Sequence, residues 1–206
     1  IMAIVLAAMA VLNPSVFYSA SNFSSMAVQF PELGFLSIAA ALVLMSGGID
    51  LSITGTAVFS GIVAARIMLA SDSPDGPSVM VVVLACAAAL LVGLACGAVN
   101  AVLVAKVGIA PMLVTLGTMN LFTGIGIVLT KGSALSGFPA SFLAIGSGRL
   151  LGIPVPLLLF VLATIILAFF LNKTKLGYKL CIYGSNPVAS FFSAINNTKV
   201  VFTTYV

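Results

Sequence analysis

Histidine and tryptophan are absent from this 206-residue chain, cysteine occurs three times, and only 6% of the residues are charged, four of them acidic: Glu32, Asp50, Asp72 and Asp75. Each shortage excludes something. Without histidine there is no Ser/His/Asp or Cys/His set, and the usual proton carrier near neutral pH is missing. Two of the four carboxylates share one short polar stretch, so a paired acid and base across a cleft is not on offer. No GxxxxGK[ST] phosphate loop occurs. Cys86, Cys96 and Cys181 show no metal-ligand spacing and form no even disulfide set; the first two sit in an apolar run and read as small packing residues. The chain is therefore not expected to be an enzyme, and no catalytic residue, directly bound cofactor or metal is assigned to it.

What is present is apolar. Hydrophobic residues make up 62% of the sequence and the mean hydropathy is +1.31, whereas an ordinary soluble domain carries about 25% charged residues on its surface. A secretory signal peptide would account for one apolar stretch, not five. Composition and apolar runs together specify an all-α polytopic membrane protein of about six transmembrane helices, one transmembrane domain over 1–206, with the lipid bilayer as its solvent. The formal charge of +4 is not evidence for nucleic-acid binding, because its distribution along the chain matters more than its sum.

The spans can be placed in order. Ile1 to Leu12 is apolar but short of the roughly 20 residues a spanning helix needs, so it reads as the tail of a helix whose start is missing. Asn13-Pro14-Ser15 stops it. A second helix is expected from about Asn22 to Ser46 with a kink at Pro31, a third from Ile53 to Leu69, and a fourth from Ser78 to Ala105, with Gly93, Gly97 and Ala101 forming a small-residue stripe. Ser71 to Pro77 is the clearest loop. Pro111 opens a fifth helix in the position where proline costs least, running to about Thr130. A Gly/Ser/Pro-rich connection over 131–156, with a short interfacial helix in 139–146, leads to a span at Leu157 to Leu171 and then a basic, polar region. Val206 falls a few residues into a further apolar segment.

Between the second and third helices stands GGIDLS: Gly47, Gly48, Ile49, Asp50, Leu51 and Ser52. Adjacent glycines end a helix cheaply, and Asp50 and Ser52 can accept hydrogen bonds from the free amides of the helix that follows. In a membrane such a break is tolerated only where protein or a water-filled cavity satisfies the freed backbone groups. Loop charge assigns sides. With Lys173, Lys175, Lys179 and Lys199 inside, the region 173–199 is cytoplasmic, Lys106 and the break lie toward the same side, and Asp72, Asp75, Lys131 and Arg149 face outward.

Weakly polar residues inside the spans are Asn100, Thr115, Thr118, Asn120 and Thr123. They have two readings: hydrogen bonds between or within helices, or a translocation path for an uncharged polar solute. With no charge along that path, proton or ion coupling is disfavoured, and energy has to come from elsewhere. The segment from Tyr183 to Asn196, where Asn186-Pro187 opens a helix and Asn196-Asn197 can stop one, reads either as a short helix along the membrane that a partner protein could push on or as an ordinary interfacial linker helix.

Several motifs in order carry a resemblance. GGIDLS, then NAVLVAK at 100–106 leading into Ile109-Ala110-Pro111, VTLGTM at 114–119 and GSGRLLGIP at 146–154 resemble the permease subunit of ribose-type ABC sugar importers, a branch that also holds xylose, galactose and autoinducer-2 permeases. The resemblance runs from Asn13 to about Val201. It implies a dimerising permease with a second copy as partner, an extracytoplasmic sugar-binding protein that delivers solute, and a separate cytoplasmic ABC ATPase that hydrolyses ATP and meets a coupling helix, here Gly184 to Asn196. Of that helix's pattern the chain keeps Asn186, Pro187, Ala189, Ser193, Ile195 and Asn196. It departs with Val188 for Glu, Ser190 for Ala, Phe191 for Arg, Phe192 for Leu and Ala194 for Gly. The resemblance also implies further C-terminal helices. The readings it leaves beside the importer permease are a truncated, uncoupled permease fragment and a stand-alone small-solute transporter or channel. Within it, the break either fixes the start of the third helix or forms part of a cytoplasmic gate.

Overall fold

The computed structural model describes residues 1–70 and 78–206. The loop expected at Ser71 to Pro77, with Asp72 and Asp75, lies outside the described residues. The elements are α1 (Met2–Leu12), α2 (Pro14–Phe17), α3 (Ala20–Met45), α4 (Ile53–Leu69), α5 (Val79–Ala105), α6 (Pro111–Thr130), α7 (Ala140–Ser147), β1 (Arg149–Leu150), β2 (Ile153–Pro154), α8 (Val155–Lys173), α9 (Lys175–Ser185), α10 (Pro187–Phe192) and α11 (Asn197–Tyr205). Among the described residues α3, α5, α6 and α8 are long and apolar enough to cross a membrane, while α4 and α1 are shorter apolar helices. The chain is an all-α polytopic membrane protein.

Local chemistry explains the boundaries. Helix α3 begins two residues before the expected Asn22, because Ser19 supplies the cap and accepts from the Asn22 amide at 3.2 Å. Pro111 and Pro187 each occupy the first helical position, where the missing N–H is one of the orphans anyway. The 131–156 connection holds α7 and also a two-stranded hairpin, Arg149 opposite Pro154 and Leu150 opposite Ile153. Its turn residues Leu151 and Gly152 both have positive φ, +53° and +84°, as a two-residue hairpin turn of the primed type requires.

Helix α4 sits at the centre, packed most extensively on α5 and α6. Small residues permit this: a Cβ on Gly55 would stand 2.9 Å from the Met119 carbonyl oxygen, and Ala64 and Ala65 are buried. Two apolar clusters fill the interior. Ala64, Met68, Val82 and Ala85 join α4 to α5 under Phe138 and Phe142, and Val43, Ala101 and Tyr205 join α3, α5 and α11. Helix α8 packs on α3 through Phe160, whose ring lies against Gly34 and edge-on to Phe30 and Phe35. No residue of α8 is buried, as befits a helix that lipid or another chain covers.

The region after α8 departs from expectation. Residues read as a basic, polar stretch form α9, capped by Thr174, which accepts from the Gly177 amide at 3.2 Å. The single helix expected from Gly184 to Asn196 is not formed. Gly184 lies in the last turn of α9, α10 covers only Pro187–Phe192, and Ala194 adopts φ +56°. Asn196, expected to stop that helix, starts the next one by accepting from the Lys199 amide at 2.9 Å.

Candidate functional site

The break between α3 and α4 is a built structure. Helix α3 closes with the Gly47 amide donating to the Leu44 carbonyl at 2.9 Å and the Gly48 amide to the Val43 carbonyl at 3.1 Å, the paired bonds of a Schellman motif. The two glycines have different reasons. Gly47 has φ +74°, which a side chain resists, and Gly48 has no room for one: its Cβ would stand 2.8 Å from the Tyr205 hydroxyl and 3.1 Å from Val43.

Asp50 then organises the entry to α4. Its Oδ1 accepts from the Ser52 amide at 2.8 Å and from the Ser52 hydroxyl at 2.6 Å. Ser52, in the capping position, makes no side-chain bond to the helix; Asp50 instead fixes the capping residue itself, through its amide and its hydroxyl. Because the carboxylate can only accept, the Ser52 proton goes to it, so the Ser52 oxygen must accept in turn. Asn100 Nδ2 is the donor, at 2.7 Å. Donor counting thereby fixes the orientation of a buried amide and leaves its Oδ1 without a partner among the described residues. Ser52 and Asn100 are both 1% exposed.

Thr115 ties the break to α6, its hydroxyl lying 3.2 Å from the Ile49 carbonyl and 2.9 Å from that of Pro111. So of the path candidates, Asn100 and Thr115 hold the break. Thr118 is buried but bonds back to Val114 at 3.0 Å, and Asn120 is exposed on another face, bonded to the Leu116 carbonyl. The structure does not gather these four into one polar channel. Thr123 has its hydroxyl beside Gly55, and Leu51 is partly exposed.

Around the break the C-terminal elements close in. A cavity of about 410 Å³ lies between Ser46–Gly48, the α5–α6 loop and Tyr183, Asn197 and Tyr205. The Gly184 backbone rests on the Met45 carbonyl, where a side chain would not fit. Asn186 Oδ1 caps α10, accepting from the amides of Val188 and Ala189 at 3.0 Å each. Ser190, fully buried, donates to Asn197 Oδ1 at 2.7 Å, and Asn197 Nδ2 donates to the Pro187 carbonyl at 2.9 Å. Thus α10 is pinned to α11. Ser193 is exposed at the end of α10, Ile195 is half-buried, and Val188, Phe191 and Phe192 point outward, the last two 69% and 82% exposed. Sequence reasoning missed Tyr205, whose only signal was a polar group in a run read as the start of a span, and noted Ser190 only as a departure from the coupling-helix pattern, not as the clamp to Asn197.

No cluster of three or more metal-ligating side chains occurs among the described residues. The arrangement defines a class: a polytopic membrane protein whose helix break is held inside the bundle by hydrogen bonds from both neighbouring helices. The chain belongs to the family described as branched-chain amino acid transport system / permease component, whose model matches residues 22–206. It is 31% identical over 95% of its length to the D-allose transport system permease protein of Escherichia coli (strain K12), covering 58% of that protein. Autoinducer 2 import system permease proteins of Enterobacter sp. (strain 638) and Photorhabdus temperata are 33% and 30% identical over 84% of the chain, which covers 52% and 51% of them. The chain spans about half the length of the curated relatives it matches. No solved structure matches it significantly.

Proposed function

We propose that this chain is part of the membrane subunit of an ATP-binding-cassette importer that moves a sugar or similar small polar solute across the inner membrane. Solute would come from an extracytoplasmic binding protein, and ATP would be hydrolysed on a separate cytoplasmic ATPase, the permease itself holding no cofactor. The subunit pairs with a second permease copy, and residues 184–196 face the cytoplasm, where α10 meets the ATPase. One observation supports this reading beyond the family match: α9 and α11, the helices that α10 packs on, reach the Met45–Ser52 break through glycine contacts, and the break is bound in turn to α5 and α6 by side chains. Motion of the cytoplasmic helices therefore has a direct route to a discontinuity inside the bundle.

The test is reconstitution of the complete reading frame in liposomes with its ATPase and binding protein. Uptake of D-allose or a related sugar that needs all three components and ATP is the expected result. Solute flux through the chain alone, or failure of any ATPase to copurify, would overturn the assignment.

A further inference from the structure

A second recess lies on the opposite side of the break from Asn100. It is a groove of about 470 Å³ between α3, the start of α4 and α6, lined by Leu36, Ser37, Asp50, Thr54, Leu116 and Met119 among others. None of the buried path candidates lines it. We propose that this groove, with the Asp50 carboxylate in its lining, is where the bundle holds its solute. The inference rests on the importer reading and names the site within it.

Three observations carry it. First, depth: Asp50 follows Ile49, which meets Thr115, the fifth residue of α6, and the groove reaches Met119, the ninth, which at about 1.5 Å per residue puts the carboxylate roughly 6 Å and the groove's far wall roughly 12 Å along a helix that just spans the hydrocarbon. A partly buried carboxylate inside the hydrocarbon boundary is disfavoured against lipid, since ionised groups there cost several kcal/mol and sit on aqueous or protein-lined surfaces. Second, bonding: both hydrogen bonds to Asp50 fall on Oδ1, so Oδ2 is free among the described residues to accept from an incoming donor. Third, chemistry: a carboxylate accepts only, the Ser37 hydroxyl spends its proton on the Leu33 carbonyl at 2.7 Å and is left as an acceptor, and Thr54 adds a hydroxyl. A ligand that matches must supply O–H donors. No Lys or Arg lines the groove, so an anion would meet the carboxylate unopposed. The broad walls of Leu36, Leu116 and Met119 suit the C–H face of a ring.

Thiol labelling in the complete transporter tests this without relying on transport. In a background with Cys86, Cys96 and Cys181 replaced by Ala, Ser37→Cys and Thr54→Cys are treated with a charged, membrane-impermeant methanethiosulfonate, with Ile165→Cys on exposed α8 as the lipid-side control. Because the thiolate reacts and hydrocarbon suppresses it, labelling at 37 and 54 should exceed the control by about tenfold or more, and millimolar D-allose or D-ribose should slow it. Asp50→Asn, which keeps the Oδ1 acceptor, should leave folding intact and cut uptake by about tenfold, the loss expected for a charge-assisted bond exchanged for a neutral one. Labelling no faster than the control, labelling indifferent to every sugar the wild type imports, or full uptake by Asp50→Asn would each overturn the proposal. A wild type that imports no sugar would instead refute the importer reading, while the labelling rates would still report whether the groove is aqueous.

Discussion

Replacing Ser52 by Ala should unseat the break, and the structure sets the size of the effect. The substitution removes the donor to Asp50 and the acceptor for Asn100, leaving an amide that is 1% exposed with neither end bonded. In a water-soluble core, a stranded buried polar group costs about 1–3 kcal/mol. In membrane bundles side-chain bonds average nearer 0.6 and reach about 1.7 kcal/mol, because the unfolded chain also finds partners in the bilayer. Here the second figure governs the bonds themselves and the first the stranded amide, so a loss of about 1–2 kcal/mol is expected. For a chain of this size that lowers Tm by roughly 2–8 °C. Thermal unfolding in detergent measures it, with Asn100→Leu and the double variant closing a cycle. Asn100→Leu removes the donor and the orphaned Oδ1 together, so it should cost less than Ser52→Ala, and the double variant should be less destabilised than the sum of the two singles. Strict additivity, or a Ser52→Ala protein with unchanged Tm, would show that the Asp50–Ser52–Asn100 chain does not hold the break.

Three further outcomes follow from the same geometry. Gly97→Ala and Gly184→Ala drive a Cβ into the carbonyls of Tyr205 and Met45 and should cost about 1–3 kcal/mol each, whereas Gly93→Ala enters open space and should be neutral or stabilising by up to about 1 kcal/mol; equal effects at 93 and 97 in a melting series would refute the packing argument. Asn186→Ala strips the cap from α10 and should cost about 1 kcal/mol locally, seen as faster hydrogen exchange at Val188 and Ala189 with little change in global Tm. Phe191→Ser with Phe192→Ser should weaken ATPase association about tenfold if a partner covers these rings, as so exposed an apolar pair implies; unchanged copurification would place the contact elsewhere.

How much of this was readable in the sequence depended on which force set each feature. Helix extents were legible because they follow local signals: Ile53–Leu69 and Pro111–Thr130 are bounded by the break, Pro111 and the polar residues after Thr130, and the observed limits coincide with the expected ones. The break was legible because two glycines and an Asp have few other reasons to interrupt an apolar run. The hairpin at 149–154 was not, since two-residue strands leave no periodicity to detect. Nor was the division of Gly184 to Asn196, which turns on Asn196 and Asn197 acting forward as cap and clamp for α11 instead of backward as a stop. The path candidates show the limit most clearly. Asn100 and Asn120 are the same residue type on adjacent helices, yet one is sealed against Ser52 and the other lies on the outer surface. Helix rotation decides between them, and in helices apolar all round no hydrophobic stripe records the rotation.

The break is thus restrained unequally. On one side it is joined to α5 by Ser52 and Asn100, to α6 by Thr115, and to α11 by the Tyr205 hydroxyl seated against Gly48. On the other, Asp50 and Leu51 face a groove with no side-chain bond across it among the described residues. A segment tied on one side and open on the other moves with the helices it is tied to. The ties differ in kind: those to α5 and α6 are hydrogen bonds, whereas the tie to α11 is steric, with Tyr205 buried and its hydroxyl unpartnered among the described residues. Withdrawing Tyr205 would break no hydrogen bond and would relieve a buried polar group that costs about 1–3 kcal/mol to leave unsatisfied. The contact that gives way without breaking a hydrogen bond is therefore the one that leads to α10 and α11, its cost being the ring's apolar burial against Val43 and Ala101, and shifting those helices would change the space behind Gly48 before it disturbed the bonds that hold Asp50 in the groove.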